Sequence, residues 1–345
     1  MYTQKPYYLG IDLHKRTSTW VLIDDKFKVI ESKQLPVEKM LFEAYSDDLK
    51  NRYGVISSAL EPVCGWRWCR QTLLEKGMKV TISHPYKTKL ITNSKQKTDK
   101  NDATKLAELL KVGYLPSSYV PNEDIYLLRR IVRDRSYLVR MRTGLSNRIH
   151  SILTQEGITY AMSDLFGVKG RTFIASLNKD YLNKLLIVRQ ELSSAIRSLE
   201  CKLEKFARNN PIVSILRTMP AIGVITASTI YAEVADFSRF KTPKHLVSFA
   251  GLAPSERSSG DSVCRGHITK QGSKYLRASL VEAAFRIRST TDHYLYSFFE
   301  KSSNNLSFKR KGRVALARKM LVIMWYMVKN KTSYIPSTER NTTCG

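Results

Sequence analysis

Hydrophobic positions concentrate in three short stretches near the start of the chain: YYLGIDL (7–13), STWVLID (18–24) and FKVIES (27–32). They are rich in β-formers and separated by tight polar breaks, which predicts three consecutive antiparallel strands. A helical period follows. Over 37–51, Met40, Leu41, Ala44, Tyr45 and Leu49 recur near 3.6 residues and predict a helix. VISSALE (55–61) predicts a fourth strand, WRWCRQTLLEKG (66–77) a helix stopped by Gly77, and MKVTIS (78–83) a fifth strand. Ala103, Leu106, Ala107 and Leu110 form one apolar stripe and predict a helix over 101–111.

The order β-β-β-α-β-α-β-α is that of a ribonuclease H-like (RuvC-like) α/β domain, in which strands one and four are neighbours. The periodicity breaks at GYLPSSYVPNED (113–124), which marks a boundary. Two long helical patterns follow, 123–155 and 179–208, with the less regular 156–178 between them. The first carries seven arginines (129, 130, 133, 135, 140, 142 and 148), and the second spaces Leu185, Leu192, Ile196, Leu199, Leu203 and Phe206 as a packing seam. An antiparallel hairpin and an intersubunit coiled coil both satisfy that pattern. The expected organisation is an α/β domain over 1–115 and a helical, coiled-coil region over 116–210. A mainly helical domain over 211–332 and a disordered tail over 333–345 complete it. A serine- and glycine-rich interruption over 255–273 divides the third segment.

Charge adds a partner to this picture. The chain has 57 Lys and Arg against 30 Asp and Glu, a net charge of +27. Such an excess points to a polyanion, nucleic acid ahead of an anionic membrane surface. No apolar run approaches the ~20 residues of a membrane span, and the opening MYTQKPYYLGIDL does not read as a signal peptide. The five cysteines form no CxxC pair and are odd in number, which disfavours zinc and disulfides and fits a reduced, cytoplasmic setting.

Candidate chemistry lies at strand ends. Asp12 lies near the end of the first strand and Glu61 ends the fourth, so the ribonuclease H-like order is expected to bring both to one sheet edge. Asp99 and Asp102, three apart in NSKQKTDKNDATKLAELLK (93–111), fall on one side of the next helix's entry turn. Each has a bland alternative: a turn residue, an ion pair with Lys97, Lys100 or Lys105, or a helix N-terminus favouring negative charge. Four carboxylates at one edge instead read as a Mg²⁺ site, because clustered like charges persist around a cation. LRTMPAIGVITASTIYAEV (216–234) reads as a helix-hairpin-helix whose turn, with Gly223, can grip a phosphate, or as an ordinary tight connection. Residues 249–280 mix Ser258, Ser259 and Ser262 with Arg257, Arg265, Lys270, Lys274 and Arg277. That segment is a solvated loop or a nucleophilic serine among phosphate-binding cations, with His245 and His267 as candidate bases. FKRKGRVALARKM (308–320) is a basic helix start, a phosphate-contacting surface or a solvated face.

GIDLHK, ALEPVCG, KTDKNDATKLAEL, MPAIG, FAGLAP and SSGDSVCRGHITKQGSKYLR occur in that order over about residues 7 to 330. In this the chain resembles the DEDD-type insertion-sequence transposases, also called bridge-RNA-guided recombinases. The resemblance implies a RuvC-like domain whose acids, here Asp12, Glu61, Asp99 and Asp102, bind Mg²⁺. It implies a coiled coil, then a C-terminal domain whose serine, by motif position Ser259, attacks DNA and forms a phosphoserine link. Arg257, Arg265, Lys270 and Lys274 are then expected at the phosphate, with Gly223, Lys97 and Lys100 as further nucleic-acid contacts. Dimers pairing into tetramers, the acids of one protomer meeting the serine of another, and an element-encoded guide RNA that pairs with target and donor DNA also follow from the family. So does a bacterial or archaeal cytoplasm. The chain departs from the pattern at Pro62, where a small residue is common, and at Ala221, which replaces the first glycine of the hairpin turn; Ser258 and Ser262 flank the assigned serine. Two rivals stand beside this reading: a water-using, junction-resolving nuclease and a non-catalytic nucleic-acid binder. No ATP site is expected, since the sequence has no GxxxxGK[ST].

Overall fold

Three antiparallel strands open the chain: β1 (Tyr7–Leu13), β2 (Thr17–Ile23) and β3 (Val29–Pro36). They continue into α1 (Lys39–Tyr53), β4 (Ile56–Leu60), α2 (Trp66–Glu75), β5 (Lys79–Ile82), α3 (Pro85–Thr92) and α4 (Asp99–Lys111). This computed structural model describes residues 6–92, 98–259, 262–305 and 309–336, and the chain divides into two units, Met1–Val120 and Pro121–Gly345.

In the first unit the sheet order is β3-β2-β1-β4-β5, with β1 parallel to β4 and β4 parallel to β5. Apolar residues at successive strand positions load both faces. Leu9, Ile11, Leu13, Trp20 and Leu22 pack against Phe42, Tyr45 and Leu49 of α1 and Cys69 and Leu73 of α2. Tyr8, Val21 and Ile23 pack against Ala103 and Ala107 of α4. At about 25 cal/mol per Å² of apolar surface, each fully buried side chain of this kind contributes roughly 1.5–3 kcal/mol. The result is a three-layer α/β/α unit with the strand order expected of a ribonuclease H-like domain.

Two sequence expectations shift here. The third strand was expected over 27–32 but begins at Val29 and runs to Pro36. Asp24 explains the late start: its carboxylate accepts from the Lys26 and Lys28 amides, so Phe27, at φ 64°, belongs to the turn. Helix α3 was not expected, because only Thr88 of its eight residues is buried and no apolar stripe marks it.

The second unit begins with α5 (Glu123–Gln155), α6 (Val168–Ser176) and α7 (Asp180–Arg208). Asn122 caps α5 by accepting from the Ile125 amide. Helices α5 and α7 pair antiparallel within the chain: Arg135 bonds Glu200, Arg189 bonds Ser146, and Lys179 reaches Glu156. Next come α8 (Pro211–Arg217), α9 (Val224–Val234), α10 (Pro243–Phe249), β6 (Pro254–Ser259), β7 (Ser262–Ile268), α11 (Lys274–Arg286), α12 (His293–Asn305) and α13 (Lys309–Asn330). Their core gathers Leu216, Ile230, Leu246, Leu280, Leu316 and Met320. The stretch read as a serine- and glycine-rich interruption holds an antiparallel strand pair, with Ser259 opposite Ser262. Its strands, PSERSS and SVCRGHI, lack apolar alternation, which is why the sequence hides them.

A buried carboxylate on α9 ties that helix to α5 and to the start of α11. Glu233, 2% exposed, accepts two bonds from Arg133, at 2.8 and 2.9 Å, and one from Ser273 at 2.9 Å. Ser273 also caps α11 by accepting from the Leu276 amide.

Candidate active site

Strand parity brings the acids together. On β1, Tyr8, Gly10 and Asp12 share the face that α4 covers. A Cβ at Gly10 would collide with the Ala103 carbonyl, so glycine is what lets α4 lie so close. In the parallel register Ile11 pairs with Leu60, and Asp12 and Glu61 each follow by one residue. Both therefore sit at the same strand-end edge, on the α4 face. Pro62 bends the chain there: the Val63 amide donates to the Glu61 carbonyl at 2.9 Å, an i to i+2 turn that suits proline's fixed φ. From the other side, α4 starts at this edge. Thr98 caps it by accepting from the Asn101 amide at 3.2 Å, and Asp99 and Asp102 occupy its first turn.

Asp12, Glu61, Asp99 and Asp102 line one cleft of about 460 Å³, with His14, Tyr86, Thr88 and Lys89 among its other walls. His14 Nε2 lies 3.3 Å from Asp12 Oδ2 and 3.4 Å from Asp99 Oδ1. Asp12, His14 and Asp99 each offer a ligand atom within 4.8 Å of the others; among the described residues this is the set at that spacing. Glu61 and Asp102 share the cleft without joining it. Burial holds the Asp12 carboxyl above its ordinary range; the His14 imidazole opposes this, and Asp99 and Asp102 add to it. A site that raises the cost of its own negative charge, and offers hard oxygen donors, fits a divalent cation. His14 escaped the sequence reading, although an Asp and a His at i and i+2 at a strand end share one face.

Residues 9–158 match a DEDD-type IS110 family description, "Transposase", and residues 213–300 match "Transposase IS116/IS110/IS902 family". The chain belongs to this family of insertion-sequence transposases. It is similar to the transposase for insertion sequence element IS1111A of Coxiella burnetii: 27% identical, covering 94% of this chain and 90% of that protein. The IS1328 transposase of Yersinia enterocolitica is 24% identical over 80% of this chain and 84% of its own length. The pilin gene-inverting protein of Moraxella bovis is 29% identical over 36% of this chain and 39% of its own. The transposase is thus an enzyme that recombines DNA.

In the second unit of the transposase, Ser259 is the last residue of β6 and Ser258 pairs with Val263. The side chains of Ser258, Ser259, Ser262, Arg257 and Arg265, like all of Lys97, lie outside the described residues. Lys100, Lys270 and Lys274 are exposed. Gly223 is the exposed N-cap of α9, with open space where a Cβ would project. Ala221 adopts φ 63°, a left-handed conformation held without the glycine that favours it. Two cations of the basic motifs are structural instead. Arg277 donates to the Ala250 carbonyl, and Arg313 donates to the carbonyls of Ala284 and Ile287 while stacking 3.6 Å over Phe299. Arg313 was expected on a phosphate-contacting or solvated face; it closes the C-terminus of α11. His245 faces Thr242 at 3.4 Å, a local contact near the start of α10.

Among the described residues no helix is long and apolar enough to cross a membrane.

Proposed function

We propose that this transposase cuts and rejoins DNA with two sets of groups: an acid cleft that holds Mg²⁺, and Ser259 as the nucleophile. The observation that carries the reading is the arrival of Asp12, Glu61, Asp99 and Asp102 in one cleft, from two strand ends and a helix start. Asp12, Glu61, Asp99 and Asp102 hold the ion, with His14 beside them. When bound, Mg²⁺ supplies charge neutralisation at a phosphate and helps ionise an attacking hydroxyl. Ser259 Oγ bonds phosphorus while the bond to one deoxyribose oxygen breaks and that oxygen takes up a proton. The phosphodiester energy is kept in the serine ester, so rejoining needs no nucleotide. The position of Ser259 as the last residue of β6, paired with Ser262 of β7, supports this role. Arg257, Arg265, Lys270 and Lys274 steady the phosphate, and Gly223, Lys97 and Lys100 hold the flanking backbone.

Rejoining is favoured over hydrolysis by the Moraxella relative, whose name describes gene inversion; an inverting enzyme must reseal every strand it cuts. The family resemblance also supports an element-encoded bridge RNA and a dimer that pairs into a tetramer. RNA copurifying with the full chain and the mass of the complex test those two partners.

The chemistry is tested with labelled element ends and denaturing gels. Wild type is expected to form a covalent protein–DNA adduct that Ser259→Ala lacks, with cleavage down by about 10⁴-fold or more, while Ser258→Ala and Ser262→Ala retain it. Asp99→Asn is expected to lose cleavage and adduct together. Undiminished cutting by Ser259→Ala would hand the site to a water-using nuclease. Full recombination by Asp99→Asn would leave only nucleic-acid binding.

A further inference from the structure

Part of the acid cleft's lining comes from α3, the helix that the sequence did not announce. Pro85, Tyr86, Thr88, Lys89 and Thr92 line the cleft from that helix. Spacings of three and four residues place Pro85, Thr88, Lys89 and Thr92 on one helical face. Thr88 is 2% exposed, and its hydroxyl has no hydrogen-bond partner. Ser83, Ser228 and Ser303 also carry buried hydroxyls without partners, but of these four only Thr88 lines the cleft. Leaving a buried hydroxyl unsatisfied is unfavourable by about 1–3 kcal/mol, so such a group at a site wall calls for a ligand acceptor. Lys89, beside it, is the one Lys or Arg among the described residues that line the cleft. Tyr86, 54% exposed, adds an aromatic ring to the same lining.

Acids together with a hydroxyl, an ammonium and an aromatic ring in one cleft suit a ligand of mixed character. A DNA phosphodiester fits: it turns oxygens to a cation held by the acids and accepts from a hydroxyl and an ammonium, and its base can stack. We propose that Thr88 and Lys89 form the phosphate-positioning subsite of the acid cleft, with Tyr86 stacking on the adjoining base. Thr88 donates its O–H to a non-bridging phosphate oxygen, and Lys89 neutralises the same group. This rests on the acid cleft being the cation site.

The test uses the full chain, Mn²⁺ as the cation and the dinucleotide TpT, which has a single phosphodiester. Mn²⁺ binding is followed by electron paramagnetic resonance. Proximity of the phosphodiester is followed by paramagnetic broadening of its ³¹P line. Thr88→Val keeps the volume and removes the hydroxyl. It is expected to melt at or above the wild-type temperature, to bind Mn²⁺ normally, and to weaken the broadening about tenfold, as loss of a hydrogen bond to a charged group does. Lys89→Gln is expected to behave likewise, while Thr88→Ser restores the wild-type signal.

Unchanged broadening in both Thr88→Val and Lys89→Gln overturns the proposal. Unfolding of Thr88→Val would make its hydroxyl structural, and loss of Mn²⁺ binding would put it in the cation's own shell; each removes Thr88 from the phosphate subsite. The underlying reading fails separately, if Asp12→Asn binds Mn²⁺ as wild type does.

Discussion

Asp12 is ionised at a cost that a cation can offset. In the folded chain burial, helped by Asp99 and Asp102, holds its carboxyl above the ordinary value despite His14. The unfolded chain releases the same proton at lower pH. Between the two values the folded state binds more protons, so stability falls as pH rises through that window, and the whole deficit is present above the folded value. In chelator at pH 7, Asp12→Asn is therefore expected to melt above wild type. Adding Mg²⁺ to a hundred times its dissociation constant should stabilise wild type by about 2.7 kcal/mol and the variant far less. Thermal denaturation with EDTA and with Mg²⁺ checks both halves. A variant that melts below wild type in EDTA would show that His14 outweighs burial at this carboxylate.

At the scale of elements, the critical contact is between β1 and α4, because α4 carries two of the four acids. Gly10→Ala puts a methyl into the Ala103 carbonyl and Ala107 amide. Backbone cannot yield as a side-chain tip can, so overpacking there is expected to cost about 3 kcal/mol. The displaced start of α4 should also shrink the stabilisation by Mg²⁺. Gly144→Ala, inside α5 with nothing within 4 Å of its added Cβ, is the matched control and should gain about 0.5–1 kcal/mol. Chemical denaturation of the three proteins decides it. The same contact shows how far the sequence could be read. Leu9, Ile11, Trp20 and Leu22 announced their strands because one face of each is apolar, and the β1–β4 adjacency followed from element order. The stripe Ala103, Leu106, Ala107 announced α4 for the same reason. Helix α3 and the β6–β7 pair were illegible because neither has an apolar face to bury. His14 was missed because its contact with Asp99 is set by α4 docking, and Asp12, two residues away, does not by itself mark a site.

For the molecule as a whole, the 57 basic residues are not one population. Arg129, Arg133, Arg135, Arg277 and Arg313 end on carbonyls or carboxylates of the second unit itself. Lys270 and Lys274 are exposed on either side of the Ser273 cap. The two groups should separate on different axes. Removing one phosphate-neutralising cation from a DNA-binding protein flattens the slope of log affinity against log salt by about 0.9. The double variant Lys270→Gln, Lys274→Gln is thus expected to bind a random-sequence duplex with a slope flatter by about 1.8 and to keep its stability within about 0.5 kcal/mol. Arg133→Met should do the reverse. It leaves Glu233, 2% exposed, with Ser273 as its remaining partner in that network. Stranding a buried charge costs about 3–5 kcal/mol, and the lower end applies because Arg133 is itself 44% exposed and already partly screened by water. Its salt slope should stay that of wild type at temperatures where it is folded. Salt titrations of duplex binding, paired with denaturation curves, measure both coordinates for each variant. If Arg133→Met flattened the slope by about 0.9 while staying folded, the Arg133–Glu233 pair would belong to the DNA-binding surface and not to the scaffold beneath it.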